Sequence, residues 1–391
     1  MNSQNTPVHI RLWHRDFWLM AIANLLLTMS VYMLIPTLPH WLTAIHGLSA
    51  LETGIAMGAF GFGLFGFGAF ASFLVQRFRR NMVCVWAVLS IAALIGLLYY
   101  VDIKLCQFME LWFVALQRFL LGACFGLAQM VLSSTLIIDT CESYQRTEAN
   151  HSASWFSRFA LALGPLAGLL LERLAGFETV LIATGSVAVV AAVLILLVSF
   201  PFRAPDDNIP MVSLDRFFLP HGFPLFANLQ LVTLAMGLLL SVTFSELFFA
   251  MMMVGFLLAI VAQRFVFRDA EVKSEVISGL LLMGAALLMM LTRTQQVVWY
   301  AAPVFVGFGL GIIGSRFLLF FIKLSRHCQR GTSQSTFLLG WESGLAWGIG
   351  LGLILFEGDR FTTLLTSLVL VAAALVVYDY THRWFVRNKN R

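Results

Sequence analysis

Four charged side chains, Arg118, Arg158, Arg316 and Glu342, lie inside long apolar runs and clear of their terminal turns, where a charge costs several kcal/mol unless it is paired or hydrated. Glu342 sits between Trp341 and Ser343, some ten residues into the run 333–356. Burial in such a stretch favours the protonated acid unless a cation offsets it, so Glu342 reads as a carboxylate that takes up and releases a proton. Arg118 lies about seven residues into the run 111–138 and reads as a contact for a bound solute or its counter-ion. At about 100° per residue, Gln129 comes back to within about 20° of Arg118, so the two share one polar stripe. Arg316, near the end of the run 297–322, could also meet a bound anion, or it could snorkel to the interface. Asn24, Thr28 and Tyr32 share one face of the first run. Each of these polar groups could instead tie one helix to another.

Other chemistry finds little support. His151, His221, His327 and Asp139 show no spacing of nucleophile, base or metal ligand, so no metal or cofactor is expected, and a membrane-embedded group transferase is the weaker reading. The five cysteines, Cys106 among them, are scattered without a CxxC pair. There is no Walker A element, and no basic stripe with interleaved aromatics of the kind that binds nucleic acid.

The elements that position these residues follow from composition. The chain is 60% hydrophobic and 12% charged over 391 residues, about half the charge of a soluble domain, so its solvent is lipid. About twenty apolar residues span the hydrocarbon. That rule marks twelve spans, at 17–42, 54–75, 83–101, 111–138, 152–171, 179–200, 224–243, 247–267, 276–292, 297–322, 333–356 and 362–382. The weakest break is the one between the seventh and eighth, at Ser245 and Glu246. About sixteen residues precede the first run, too many for a signal peptide, so that helix is expected to stay. With the N-terminus inside, 18 Lys and Arg fall in cytoplasmic segments, including Arg203 and Arg391, and four fall outside. This bias predicts both termini in the cytoplasm of an inner (plasma) membrane protein. Trp13, Trp18, Trp41, Trp112 and Trp384 lie near span ends, as an interfacial belt would require.

The longest polar stretch, with four prolines and Asp206-Asp207-Asn208, divides the chain into a half at 1–200, a cytoplasmic linker at 201–222 and a half at 223–391. A repeat supports the division. Gln76-Arg77-Phe78 closes span two and Gln263-Arg264-Phe265 closes span eight; Gln145-Arg146 precedes span five and Gln329-Arg330 precedes span eleven, 184 positions later. The same offset carries Arg158 onto 342, so Arg158 is the cation that could pair with Glu342. Gly340, Gly344, Gly348 and Gly352 form a ladder in span eleven, read as a helix-packing face from which Glu342 points away.

Three motifs and the layout together resemble the major facilitator superfamily. The segment Ser72–Arg80, with Arg77, Arg79 and Arg80, is similar to its basic loop after span two. Arg118-Phe119-Leu120-Leu121-Gly122 is similar to its R-x-x-x-G element, and Gly164-Pro165-Leu166-Ala167-Gly168 to the G-P-x-x-G element common in its exporters. The chain departs from the loop by carrying Gln76 where the family usually has Asp. The resemblance implies an all-α fold of two pseudo-symmetric six-helix halves and a central cavity lined by spans one, four, seven and ten. It also implies a secondary transporter that moves a small organic solute across the bilayer by alternating access, with protons as the coupling ion and Arg77, Arg79 and Arg80 at a gate. The span-five element leans towards export, and the arginines within the membrane leave proton-coupled import of an organic anion as the alternative.

Overall fold

The structure, a computed structural model, describes residues 11–104, 110–200 and 209–389. Arg203, Asp206, Asp207, Asn208, Cys106 and Arg391, counted above, lie outside these residues. Among the described residues, twelve helices are long and apolar enough to cross a membrane. The first six are α1 (Arg15–Ala44), α2 (Ala50–Arg77), α3 (Arg80–Asp102), α4 (Leu111–Asp139), α5 (Arg146–Ala175) and α6 (Phe177–Leu196). The second six are α7 (Pro220–Ser241), α8 (Glu246–Phe265), α9 (Val272–Thr292), α10 (Gln296–Leu324), α11 (Arg330–Phe356) and α12 (Arg360–Asn388). The doubtful break between the seventh and eighth spans is real, since α7 stops at Ser241 and α8 starts at Glu246. Several helices outrun their apolar limits. α5 starts at Arg146 rather than 152 and α12 reaches Asn388 rather than 382, because backbone hydrogen bonding continues where the hydrocarbon ends.

Local sequence sets the ends and bends. Ser49 and Glu52 close a reciprocal capping box at the start of α2. Asp359 caps α12 by accepting from the Thr362 hydroxyl and from the backbone N–H groups of Thr362 and Phe361, and these bonds, the hydroxyl's foremost, hold its carboxyl below the ordinary carboxylate range. α1 breaks after Tyr32, one turn before Pro36, whose ring meets the carbonyl four residues back and leaves it without a donor. α4 widens into a π turn at Leu132–Leu136, an irregularity often found at functional sites.

Packing repeats between the halves. α1 packs on α5 and α6 as α7 packs on α11 and α12. The pairs α2–α4, α3–α4 and α3–α6 recur as α8–α10, α9–α10 and α9–α12. The halves meet chiefly along α2–α11 and α5–α8, which the same twofold exchanges. Glycine permits the closest approaches: a Cβ on Gly122 would lie 2.2 Å from the Phe60 carbonyl oxygen, and one on Gly307 2.1 Å from that of Met252. The Gly340–Gly352 ladder packs on α7, against Phe226, Thr233, Gly237 and Ser241, as a small-residue seam in lipid requires. Trp13, Trp18 and Trp112 are exposed at helix ends. Trp41 is not part of that belt; it is buried and stacks on Phe177 with ring centroids 4.5 Å apart.

Candidate functional site

Glu342 projects from α11 into the other half of the molecule. Its carboxyl is buried, at 3% exposure, and both oxygens accept hydrogen bonds. Tyr32 Oη donates to Oε2 at 2.8 Å and Gln129 Nε2 donates to Oε1 at 3.1 Å. The break in α1 is part of this arrangement, because Tyr32 is the last residue before it. The Gly164–Gly168 element of α5 lies against the same point, with Gly164 beside Tyr32 and Gly168 beside the Met33 carbonyl. Gln129 also reaches Thr28 Oγ1 at 3.4 Å, and Thr28 donates to the Asn24 carbonyl at 2.9 Å. One carboxyl group thus joins α1, α4 and α11 across the boundary between the halves.

Two small cavities flank it. One, of about 20 Å³, is lined by Tyr32, Met57, Phe60, Arg118, Glu342 and Ile349 among others. The other, of about 10 Å³, lies towards the linker and is lined by Leu64, Gly126, Gln129, Leu338 and Glu342 among others. Neither holds more than a single water, and a site for an organic ligand takes about 300–1,000 Å³. The centre is therefore sealed, with Glu342 standing between its two remnants.

Arg118 faces the first cavity. It is 3% exposed and lies 4.9 Å from the centre of the Phe60 ring. Its Nε and Nη1 have no hydrogen-bond partner. Among the described residues no carboxylate lies within 4.0 Å of it, so this buried guanidinium keeps two donors free for an acceptor. On α4, Gln129 bonds Glu342 and lines the second cavity, while Arg118 lines the first.

Arg158 and Glu342 do not pair. Arg158 Nη2 donates to Ser154 at 2.7 Å, the guanidinium lies 4.5 Å from the Trp155 ring, and Nε and Nη1 are unpartnered. The repeat offset explains the separation. Residues related by a twofold lie on opposite sides of its axis, so Glu342 turns to α4 of the first half while Arg158 turns to α10 of the second, against Gly314. Beside it His151 and Ser315 are 2.7 Å apart, and Ser315 donates to Gln263 at 3.3 Å. This is a second polar crossing between the halves, through α5, α10 and α8.

Two other expected cavity residues have structural partners. Arg316 places Nε and Nη2 on Glu275 of α9, at 2.7 and 2.6 Å, and lines neither central cavity. Asn24 donates to the Ala153 carbonyl at 3.0 Å and to Ser157 at 2.7 Å, tying α1 to α5. Among the described residues no group of His, Cys, Asp and Glu could hold a metal ion. Burial pushes the Cys141 thiol, between α4 and α5, up to about 11, so it is no nucleophile at neutral pH.

The sequence matches the family model of the Major Facilitator Superfamily over residues 20–351. The chain belongs to the major facilitator superfamily. Its members are transporters, not enzymes, and the fold agrees. A bacterial homologue of the iron transporter ferroportin, in an outward-facing state, superposes with a TM-score of 0.66 at 18% identity, covering 95% of this chain and 100% of that one. The E. coli fucose:proton symporter gives 0.62 at 14% identity, covering 93% and 98%. The human organic anion transporter MFSD10 gives 0.67 at 14% identity, also covering 93% and 98%. No curated protein matches the sequence.

The superfamily loop after α2 has an unusual arrangement here. Arg80 is ion-paired with Asp139 at the end of α4, while Arg77 and Arg79 are exposed. Gln76, in the place of the usual Asp, donates to Ser72 at 2.7 Å, and Ser72 donates to Asp215 at 3.3 Å. Asp215 in turn accepts from Thr332 of α11 at 3.0 Å. Arg216, in the left-handed region at φ 58°, donates its backbone N–H to Thr332 and a guanidinium N–H to Thr135, each at 2.8 Å. Asp215 of the linker thus bonds side chains of both halves. Sequence reading missed Asp215, Arg216 and Thr332, since Ser-Leu-Asp-Arg before a span looks like solvated connector. It also missed Glu275, which lies at the polar edge of its run.

Proposed function

We propose that this superfamily member is a proton-coupled secondary transporter of a small organic anion, working by alternating access with Glu342 as the coupling carboxylate. The observation that carries this reading is the placement of Glu342 between the halves, held by α1 and α4, with the unpaired Arg118 in the same cavity. An incoming anion would meet Arg118 and need the halves to part, because the sealed centre has no room for it. Both Glu342 oxygens accept hydrogen bonds, so a proton arriving on the carboxyl removes its charge and weakens the bonds it accepts from Tyr32 and Gln129. Proton binding and separation of the halves are thereby linked. Arg158, with His151 and Ser315, holds the pseudo-symmetric crossing and takes no part in the proton step.

The moving bodies are residues 1–200 and 223–391, joined by a cytoplasmic linker at 201–222, and Arg77, Arg79 and Arg80 flank the gate on that face. The bias of Lys and Arg supports a plasma-membrane (inner-membrane) protein with both termini in the cytoplasm. Export is the direction supported by the Gly164–Gly168 element, which sits against the break beside Tyr32. The test is transport in proteoliposomes with an imposed pH gradient, screening carboxylates against neutral and cationic solutes of similar size. Movement of carboxylates against their gradient, driven by protons entering from the other side, supports the reading. Preference for cations, or indifference to pH, would sink it. Proton-driven uptake on the same side as proton entry would reverse the direction while leaving the site intact.

A further inference from the structure

A polar cavity lies away from Glu342, at the face that carries the linker. It has a volume of about 240 Å³ and is lined by α4, the starts of α5 and α11, the loop before α11 and the linker. The duplicated Gln-Arg element acquires a meaning there. Gln145-Arg146 and Gln329-Arg330 open α5 and α11, and both arginines line this one cavity. Neither helix start is capped by a side chain; Gln145 turns its amide oxygen to the Glu142 N–H instead. Two helix starts therefore bring the positive ends of their dipoles to a shared space.

The charges around it do not balance. Four arginines and two aspartates line the cavity. Arg80 is taken by Asp139, and Arg216 bonds Thr135 with Asp215 4.0 Å away. Among the described residues Arg146 and Arg330 have no carboxylate within 4.0 Å, and Arg146 Nε is buried without a partner. Asn150, 3% exposed, completes the wall with an amide oxygen that also has no partner. A half-turn of that amide presents its N–H groups instead. Hydroxyls of Ser134 and Thr147 face the same space.

We propose that this cavity binds a small oxyanion of the phosphate class, held between Arg146 and Arg330 and the first turns of α5 and α11. Guanidinium forks and helix N-termini are the usual partners of such groups. The volume admits a phosphate or a small phosphomonoester with a few waters, each of which takes about 30 Å³. It falls short of what a drug-sized ligand occupies. Because the two arginines belong to opposite halves, the anion removes their mutual repulsion and ties the halves together at this face. That last consequence rests on the alternating-access reading; the binding itself does not.

The test measures binding rather than transport, so failure of the transport reading leaves it untouched. Protein in nanodiscs of phosphatidylcholine is heated in rising phosphate, against chloride at equal ionic strength. The expected result is a saturable rise in Tm of a few degrees. The rise is lost in the double variant Arg146→Gln/Arg330→Gln, whose Tm in chloride stays near that of the parent. The general salting effect of phosphate does not saturate and survives in the variant, so the two are separable. Absence of a saturable rise, or its persistence in the double variant, overturns the proposal. In a second arm, discs containing phosphatidylglycerol are compared in chloride alone. Stabilisation by that lipid with none from free phosphate would assign the site to a headgroup and overturn the soluble occupant. If the double variant does not fold, equilibrium dialysis with labelled phosphate decides, using Arg330→Lys, which keeps the charge but loses the fork. Binding weakened about tenfold or more supports the site, and unchanged binding refutes it.

Discussion

Replacing Glu342 by Gln removes the proton while keeping the shape, which separates the two roles this carboxyl could have. Gln129 can go on donating to the new amide oxygen, as it does now at 3.1 Å. The new NH2 group can donate to Tyr32 Oη, reversing the present 2.8 Å bond. Both ties across the halves survive in altered form, so stability should change by less than about 1 kcal/mol, the net worth of one hydrogen bond. Coupling should not survive. A gradient of one pH unit is worth about 1.4 kcal/mol per proton, or about tenfold accumulation at one proton per solute. Glu342→Gln is expected to bring that tenfold to unity while counterflow of labelled against unlabelled solute continues at a near-normal rate. The assay is accumulation and counterflow in the same proteoliposomes, with Tm measured on the detergent-purified protein. Glu342→Ala is the contrast. It strands the Tyr32 hydroxyl and the Gln129 amide in a sealed site at about 1–3 kcal/mol each, so it should lower Tm and yield. If Glu342→Gln protein still accumulates solute about tenfold per pH unit, Glu342 is a structural tie and the proton runs elsewhere.

Arg118→Lys keeps the charge but loses the planar fork and should cut transport by about an order of magnitude; wild-type rates in well-expressed Arg118→Ala protein would exclude a role in binding. Asp215→Ala removes the acceptor shared by Ser72 and Thr332, and should raise thiol labelling of a cysteine placed at Thr332 severalfold, whereas unchanged labelling would show that the linker does not hold this face shut. Cysteines introduced at Asp206 and Asn388 should react only with reagent supplied from the cytoplasm, and labelling of either from outside would overturn the assigned orientation. Asp359→Ala should lower Tm at neutral pH. Because the folded carboxyl titrates below its ordinary range, its contribution is full above the unfolded value and fades as pH falls through the lowered one, so the gap in Tm between parent and variant should narrow in acid.

What the sequence made legible divides along one physical line. Twelve apolar runs, the charge bias and the glycine ladder are properties of single segments, and lipid imposes them strictly. The helices follow those segments closely, apart from polar turns added at their ends. The partners of the intramembrane charges are properties of pairs of segments, which spacing on one helix cannot fix. The stripe of Arg118 and Gln129 could be read because both lie on α4. Tyr32 and Glu342 could only be nominated one by one, though they meet at 2.8 Å.

The repeat offset shows most directly where such reading stops. It placed Arg158 and Glu342 at equivalent positions, and equivalence under a twofold is a reason for residues to stand apart unless they lie on its axis. Applied instead to Arg146 and Arg330, the same offset finds residues that do approach a common space, because both open their helices at the face where the halves converge. The distinction is depth. Mid-membrane, α5 and α11 each face a helix of the opposite half, and their side chains are used up there by Gln129 and Tyr32 on one side and by packing against Gly314 on the other. At the linker face the helices begin without side-chain caps, and a cavity lined from both halves lies between them. Equivalent arginines can then point to the same place, and the linker, through Asp215 and Arg216, completes a boundary that neither repeat encodes alone.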